Sequence, residues 1–75
     1  MKTTVGSVVS WNGDEGWGVL RSADVGSDVF ALFSELAMDG YRSLEPGQLV
    51  RFECEHFPSG QDGYVYRAFN VTLLD

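Results

Sequence analysis

The chain has 75 residues and a net charge of −6, from 11 acidic against 5 basic side chains, with nine glycines and one cysteine. One small domain over residues 1–75 is expected, burying roughly 60% of its unfolded surface and leaving little material for a deep catalytic pocket. A lone cysteine excludes an internal disulfide or a cysteine-built zinc site, and no apolar run is long enough to span a bilayer. The start lacks the apolar stretch of a signal peptide, so a cytoplasmic protein without a membrane segment is expected.

Glycine is frequent, β-branched and aromatic residues are common, and apolar residues recur with a period near two. This pattern predicts short strands separated by turns. The first strand spans residues 3–12 and ends at Asn12-Gly13, a strong turn pair. The second runs over 17–22 and the third over 28–33, joined by a loop at 23–26. Residues 34–37 suit a single helical turn, too short to stand alone. A long loop over 38–47 closes on Pro46-Gly47, which launches a fourth strand over 48–56. Residues 57–63 read as a hairpin loop before a fifth strand over 64–73.

Side chains alternate across a strand. Placing Leu20, Val29 and Ala31 inward leaves Trp17, Val19, Phe30 and Leu32 on the outward face. A small sheet that spends large apolar side chains outward is presenting a surface to a partner, and aromatic rings there suit stacking of unpaired bases. Five antiparallel strands with a long connection between the third and fourth fit an OB-fold barrel. Strand count alone leaves an SH3-like barrel open.

Gly16-Trp17-Gly18-Val19-Leu20 and Asp28-Val29-Phe30-Ala31-Leu32-Phe33 are similar to the two ribonucleoprotein motifs of bacterial cold-shock domains, usually K-G-F-G-F-I and D-V-F-V-H-F. Asp39-Gly40-Tyr41, Ser43-Leu44, Gly47-Gln48 and Asn70-Val71-Thr72 fall in register with the same family, so the resemblance covers nearly the whole chain. It implies an all-β, five-stranded antiparallel OB-fold barrel that binds single-stranded RNA or DNA. By resemblance, Trp17, Phe30, Phe33 and Tyr41 sit at base-contacting positions. Trp11 matches an aromatic flanking the platform, while as a residue it also reads as packing at the sheet edge, and Asn12 matches a polar residue near the first turn. Arg21 and Arg67 are basic groups in the strands, placed to neutralise phosphates.

The departures weaken that site. The family's V-K-W-F-N is Val8-Val9-Ser10-Trp11-Asn12 here, so a lysine and a stacking tryptophan are lost. Glu15 replaces a lysine, Val19 an aromatic and Leu32 a stacking histidine. Each stacked base is worth ~1–3 kcal/mol, and phosphate binding normally draws on basic groups. Weak, salt-sensitive binding is therefore expected, with Tyr64, Tyr66 and Arg67 of the fifth strand as partial compensation.

The alternative is a protein-interaction or self-associating module, even a homodimer, using the Trp17–Val19–Phe30–Leu32 face. No catalytic residues, metal ligands or cofactors are expected. Cys54 and His56 lie two apart and form a conceivable nucleophilic pair, but Cys54 follows the inward phase of Val50 and Phe52, so a buried thiol is expected. The glycines at 16 and 18 suit close strand approach, not a phosphate loop.

Overall fold

Strands form where the apolar alternation predicts them. A computed structural model of the protein describes residues 2–37, 43–61 and 64–74, with the side chains of 58–61 and 64 outside that description. The elements are β1 (Lys2–Asn12), β2 (Trp17–Arg21), β3 (Val29–Leu32), a 3-10 turn (Phe33–Glu35), β4 (Leu49–Gln61) and β5 (Tyr64–Leu74). The strands close into a barrel in the order β1-β2-β3-β5-β4. Tyr41, in the connection to β4, lies outside the described residues.

Four of the five pairings are antiparallel, as expected, and the fifth, β3 with β5, is parallel through Phe30 and Arg67. A closed ring with an odd number of strands cannot alternate direction all the way round, so one seam has to be parallel. The expected hairpin loop at 57–63 is also shorter. β4 continues to Gln61, and the pairing jumps from His56↔Tyr66 to Gln61↔Tyr64. The Pro-Ser-Gly turn signal thus falls in an irregular stretch of strand, not in the hairpin tip.

Two further irregularities decide which side chains face out. In β1 the partners run from Val8↔Leu20 to Ser10↔Val19, so one extra residue is inserted. Val8 is then buried, Val9 and Ser10 both face solvent, and Trp11 returns to pack against the core. In β5 the partners run from Glu53↔Phe69 to Arg51↔Thr72. Asn70 takes a left-handed backbone (φ 51°), a conformation asparagine adopts more readily than most residues. The inserted residue puts Ala68 and Val71 both in the core, with Phe69 between them on the outer face.

The interior holds Leu20, Val29, Ala31, Val50, Phe52 and Val71 among others, and the loop residues Leu36 and Leu44 plug it. Cys54 belongs to this core and His56 packs its ring against Tyr66. Burial pushes the Cys54 thiol above its ordinary range, with Lys2, its partner on β1, acting in the opposite sense. The neutral thiol is thus favoured by the fold, a contribution present at neutral pH and lost as pH rises through the raised value. Alkylation of native Cys54 by iodoacetamide at about pH 8 is expected to be slow and to accelerate on adding urea. Rapid native labelling would contradict the burial.

Candidate nucleic-acid interface

β2 and β3 pair Trp17 with Leu32 and Val19 with Phe30, so these four side chains share the outward face predicted for them. They do not form an open row of rings. Trp17 stacks on Phe30 with ring centroids 5.6 Å apart and planes 26° from parallel. Phe30 is only 2% exposed and Val19 only 4%, although neither belongs to the core cluster inside the barrel. They form a second apolar layer on the outside of the wall. The expectation that Phe30 presents its ring to solvent is corrected: Trp17 lies over it, and Phe30 is the floor of the platform. The same burial removes Val19 and Phe30 from the apolar face expected for a protein partner, leaving Trp17 and Leu32 half-exposed.

The turn before β2 sets the height of Trp17. The Asn12 side-chain oxygen accepts the Asp14 and Glu15 N–H groups (3.1 and 3.0 Å), an Asx-type cap on the turn. Gly16 closes the turn at φ 76°, a backbone that side-chain-bearing residues rarely adopt. It serves this turn and also the close approach expected for it, since a Cβ here would lie 3.3 Å from the Phe33 Cβ. The Gly16 carbonyl accepts the Phe33 N–H at 2.7 Å, which holds the 3-10 turn beside the platform. Phe33 is 44% exposed there. Asn12 therefore shapes the site through its carbonyl oxygen.

Glu15 does more than reverse a charge. Its carboxylate accepts the Trp17 indole N–H at 2.8 Å, which anchors the ring edge and places a negative group at the rim. Trp11 points the other way. Its indole occupies the space where Gly18 lacks a side chain, and it packs against the core. Of the two readings of Trp11, flanking aromatic or packing residue, the structure has the second, because the β1 insertion turns it inward. Tyr66 is likewise turned to the core and adds nothing to the outer face.

The two candidate cations differ. Arg21 is bound to Asp28, with Nη2 at 3.0 Å and Nε at 3.1 Å from Oδ1. Both side chains are exposed enough that the pair is worth little and can exchange for phosphate. Arg67 follows Phe30 across the parallel seam, and its guanidinium lies over Phe69 at 5.1 Å from the ring centroid. Among the described residues no ion pair is made by Arg67. Its Nε is buried without an acceptor, an uncommon state for a charged donor. Phe69 in turn approaches Phe57, centroids 6.4 Å apart. Sequence reasoning missed these last two rings: one sits immediately before the β5 insertion, and the other lay in an expected loop.

This geometry agrees with comparisons to known proteins. Residues 4–74 match the profile of the "'Cold-shock' DNA-binding domain". The chain belongs to the cold-shock domain family. It is similar to the cold shock-like protein CspA of Shewanella violacea, 40% identical over 72 residues that cover 96% of each chain. The cold shock-like protein CspD of Haemophilus influenzae is 44% identical over 54 residues, 71% of this chain and 75% of the relative. CspD of Escherichia coli K12 is 38% identical over 60 residues, 80% and 81% of the two chains. In structure the chain is similar to the Drosophila Unr segment CSD456, with a TM-score of 0.72 at 24% identity, over 99% of this chain and 27% of that one. That likeness shows the shared barrel fold. Within the cold-shock domain, the family's positions for lysine and tryptophan in the first strand are Val9 and Ser10. Both face solvent here.

Proposed function

We propose that this cold-shock domain binds single-stranded nucleic acid, RNA or DNA, by stacking unpaired bases, weakly and without catalysis. The observation that carries the reading is the half-exposed Trp17 indole stacked on a buried Phe30, beside the exposed Phe33. A stacked, backed ring is held in one place and loses little freedom when a base adds to it. Trp17 and Phe33 offer the ring surfaces, Phe30 supports Trp17, and Asn12 keeps the turn. Tyr41 completes the set by family position. Arg67, and Arg21 after release from Asp28, neutralise phosphates. Weakness follows from Glu15 at the rim and from the aromatics absent at Ser10, Val19 and Leu32. The role implied by the family is RNA chaperoning or modulation of expression in the cytoplasm.

Titration of a short deoxythymidine oligonucleotide at low salt tests this reading. Tryptophan emission is expected to quench, and the affinity to fall with added salt at a slope of about −0.7 for each phosphate contacted. An unchanged emission and no binding by anisotropy would refute it. Concentration-dependent dimerisation in sedimentation, with no nucleic acid bound, would favour self-association instead.

A further inference from the structure

The outer face does not end at β3. The parallel seam joins Phe30 to Arg67, the Arg67 guanidinium lies on Phe69, and Phe69 meets Phe57 on β4. Aromatic and planar cationic groups thus continue from Trp17 on β2 to Phe57 on β4, through every strand of that side of the barrel. We propose that Arg67, Phe69 and Phe57 form a second stacking station, which takes further unpaired bases of the strand held at Trp17 and Phe33. This inference rests on the proposed single-strand binding and extends it across the β3–β5 seam.

Three features point to this occupant. The surface is continuous with the first station, so one strand can follow it without leaving the barrel. Arg67 is a cation with no carboxylate bound to it among the described residues, although Glu55 is its partner across β4 and β5. In a chain of net charge −6, a guanidinium left to an aromatic ring is placed for an anion or a base, and guanidinium and phenyl planes both stack on nucleobases. Finally, Phe69 and Phe57 are only half-buried, and the β5 insertion at Asn70 keeps Phe69 outside while Val71 fills the core.

The test compares a deoxythymidine trinucleotide with a hexanucleotide at one low salt concentration, by anisotropy. The wild-type protein is expected to bind the longer strand about tenfold more tightly than the shorter, the worth of one added stacked base. Phe69→Leu is expected to weaken the hexanucleotide far more than the trinucleotide and so to lose that tenfold gain. Phe57→Leu, remote from Trp17, provides an independent variant and is expected to lose part of the same gain. The second station is overturned if both variants keep the full gain, or if both weaken the two strands equally. Those outcomes leave binding at Trp17 intact. Failure of the wild-type protein to bind either length would remove the first station and the second together.

Discussion

Trp17→Ala is expected to weaken single-strand binding by about ten- to a hundredfold, the range for one stacked base, with the fold retained. The indole is half-exposed, so its removal opens no internal cavity. It does uncover Phe30, whose ring then meets solvent and takes over some stacking; the loss is accordingly nearer the lower figure. Phe30→Leu separates the roles. It removes the ring beneath Trp17 while keeping an apolar side chain, and it is expected to weaken binding less than Trp17→Ala does. Labelled-oligonucleotide anisotropy measures both, since tryptophan emission loses its main reporter in the first variant. If Phe30→Leu proved the more damaging, Phe30 and not Trp17 would be the base-contacting ring.

Glu15→Gln tests the electrostatic half of the same site. A glutamine carbonyl oxygen can still accept the indole N–H that Glu15 accepts at 2.8 Å, so the ring stays anchored and only the charge is removed. Binding is expected to tighten severalfold at low salt, and the advantage to fade near physiological ionic strength, where exposed charges are screened within about 8 Å. An equal advantage at all salt concentrations would mean that the substitution moved the indole.

The second large effect is on stability. Gly6→Ala is expected to cost about 3 kcal/mol, the upper end of overpacking penalties, and to lower the melting temperature by roughly 12–24 °C. A methyl group at Gly6 would run into the Arg21 carbonyl oxygen and come within 2.9 Å of its carbon and 3.2 Å of Ser22 Cα. All three are backbone atoms and cannot rotate away. β1 and β2 would have to part where the Ser22 hydroxyl donates to the Val5 carbonyl at 3.0 Å and pairs with Thr4 Oγ1 at 2.8 Å. Thr4 also donates to Asp24 at 2.6 Å, so separation disturbs the two buried hydroxyls, Thr4 and Ser22. Gly13→Ala is the control: nothing lies within 4 Å of the added carbon, and a change within about 0.5 kcal/mol is expected. Thermal melts by circular dichroism compare the two, and similar melting points would show that β1 and β2 tolerate the wider spacing.

The barrel was legible because its local signals agree. Trp17 to Leu20 and Val29 to Leu32 alternate cleanly, and Leu20, Val29 and Ala31 are indeed fully buried. The alternation read in β2 and β3 does not extend to β1 and β5, where each strand gains a residue. Past Val8 the period shifts, and Trp11 goes inward while Ser10 goes out. Past Phe69 it shifts again, and an outer ring on β5 went unseen. An inserted residue is not identified by one strand's apolar period alone, because it is defined by the pairing of two strands distant in the chain.

By itself, then, the order of residues determined five strands, a single small barrel, and an outward β2–β3 face carrying Trp17 and Phe30. Only the tertiary structure decided that Trp17 covers Phe30, that Glu15 grips the indole, that Arg21 is occupied by Asp28, and that Arg67 and Phe69 prolong the face. Alternation along one strand reports which side a residue takes. How much of that side chain meets water depends on neighbours from other strands, and those are set by closure of the barrel.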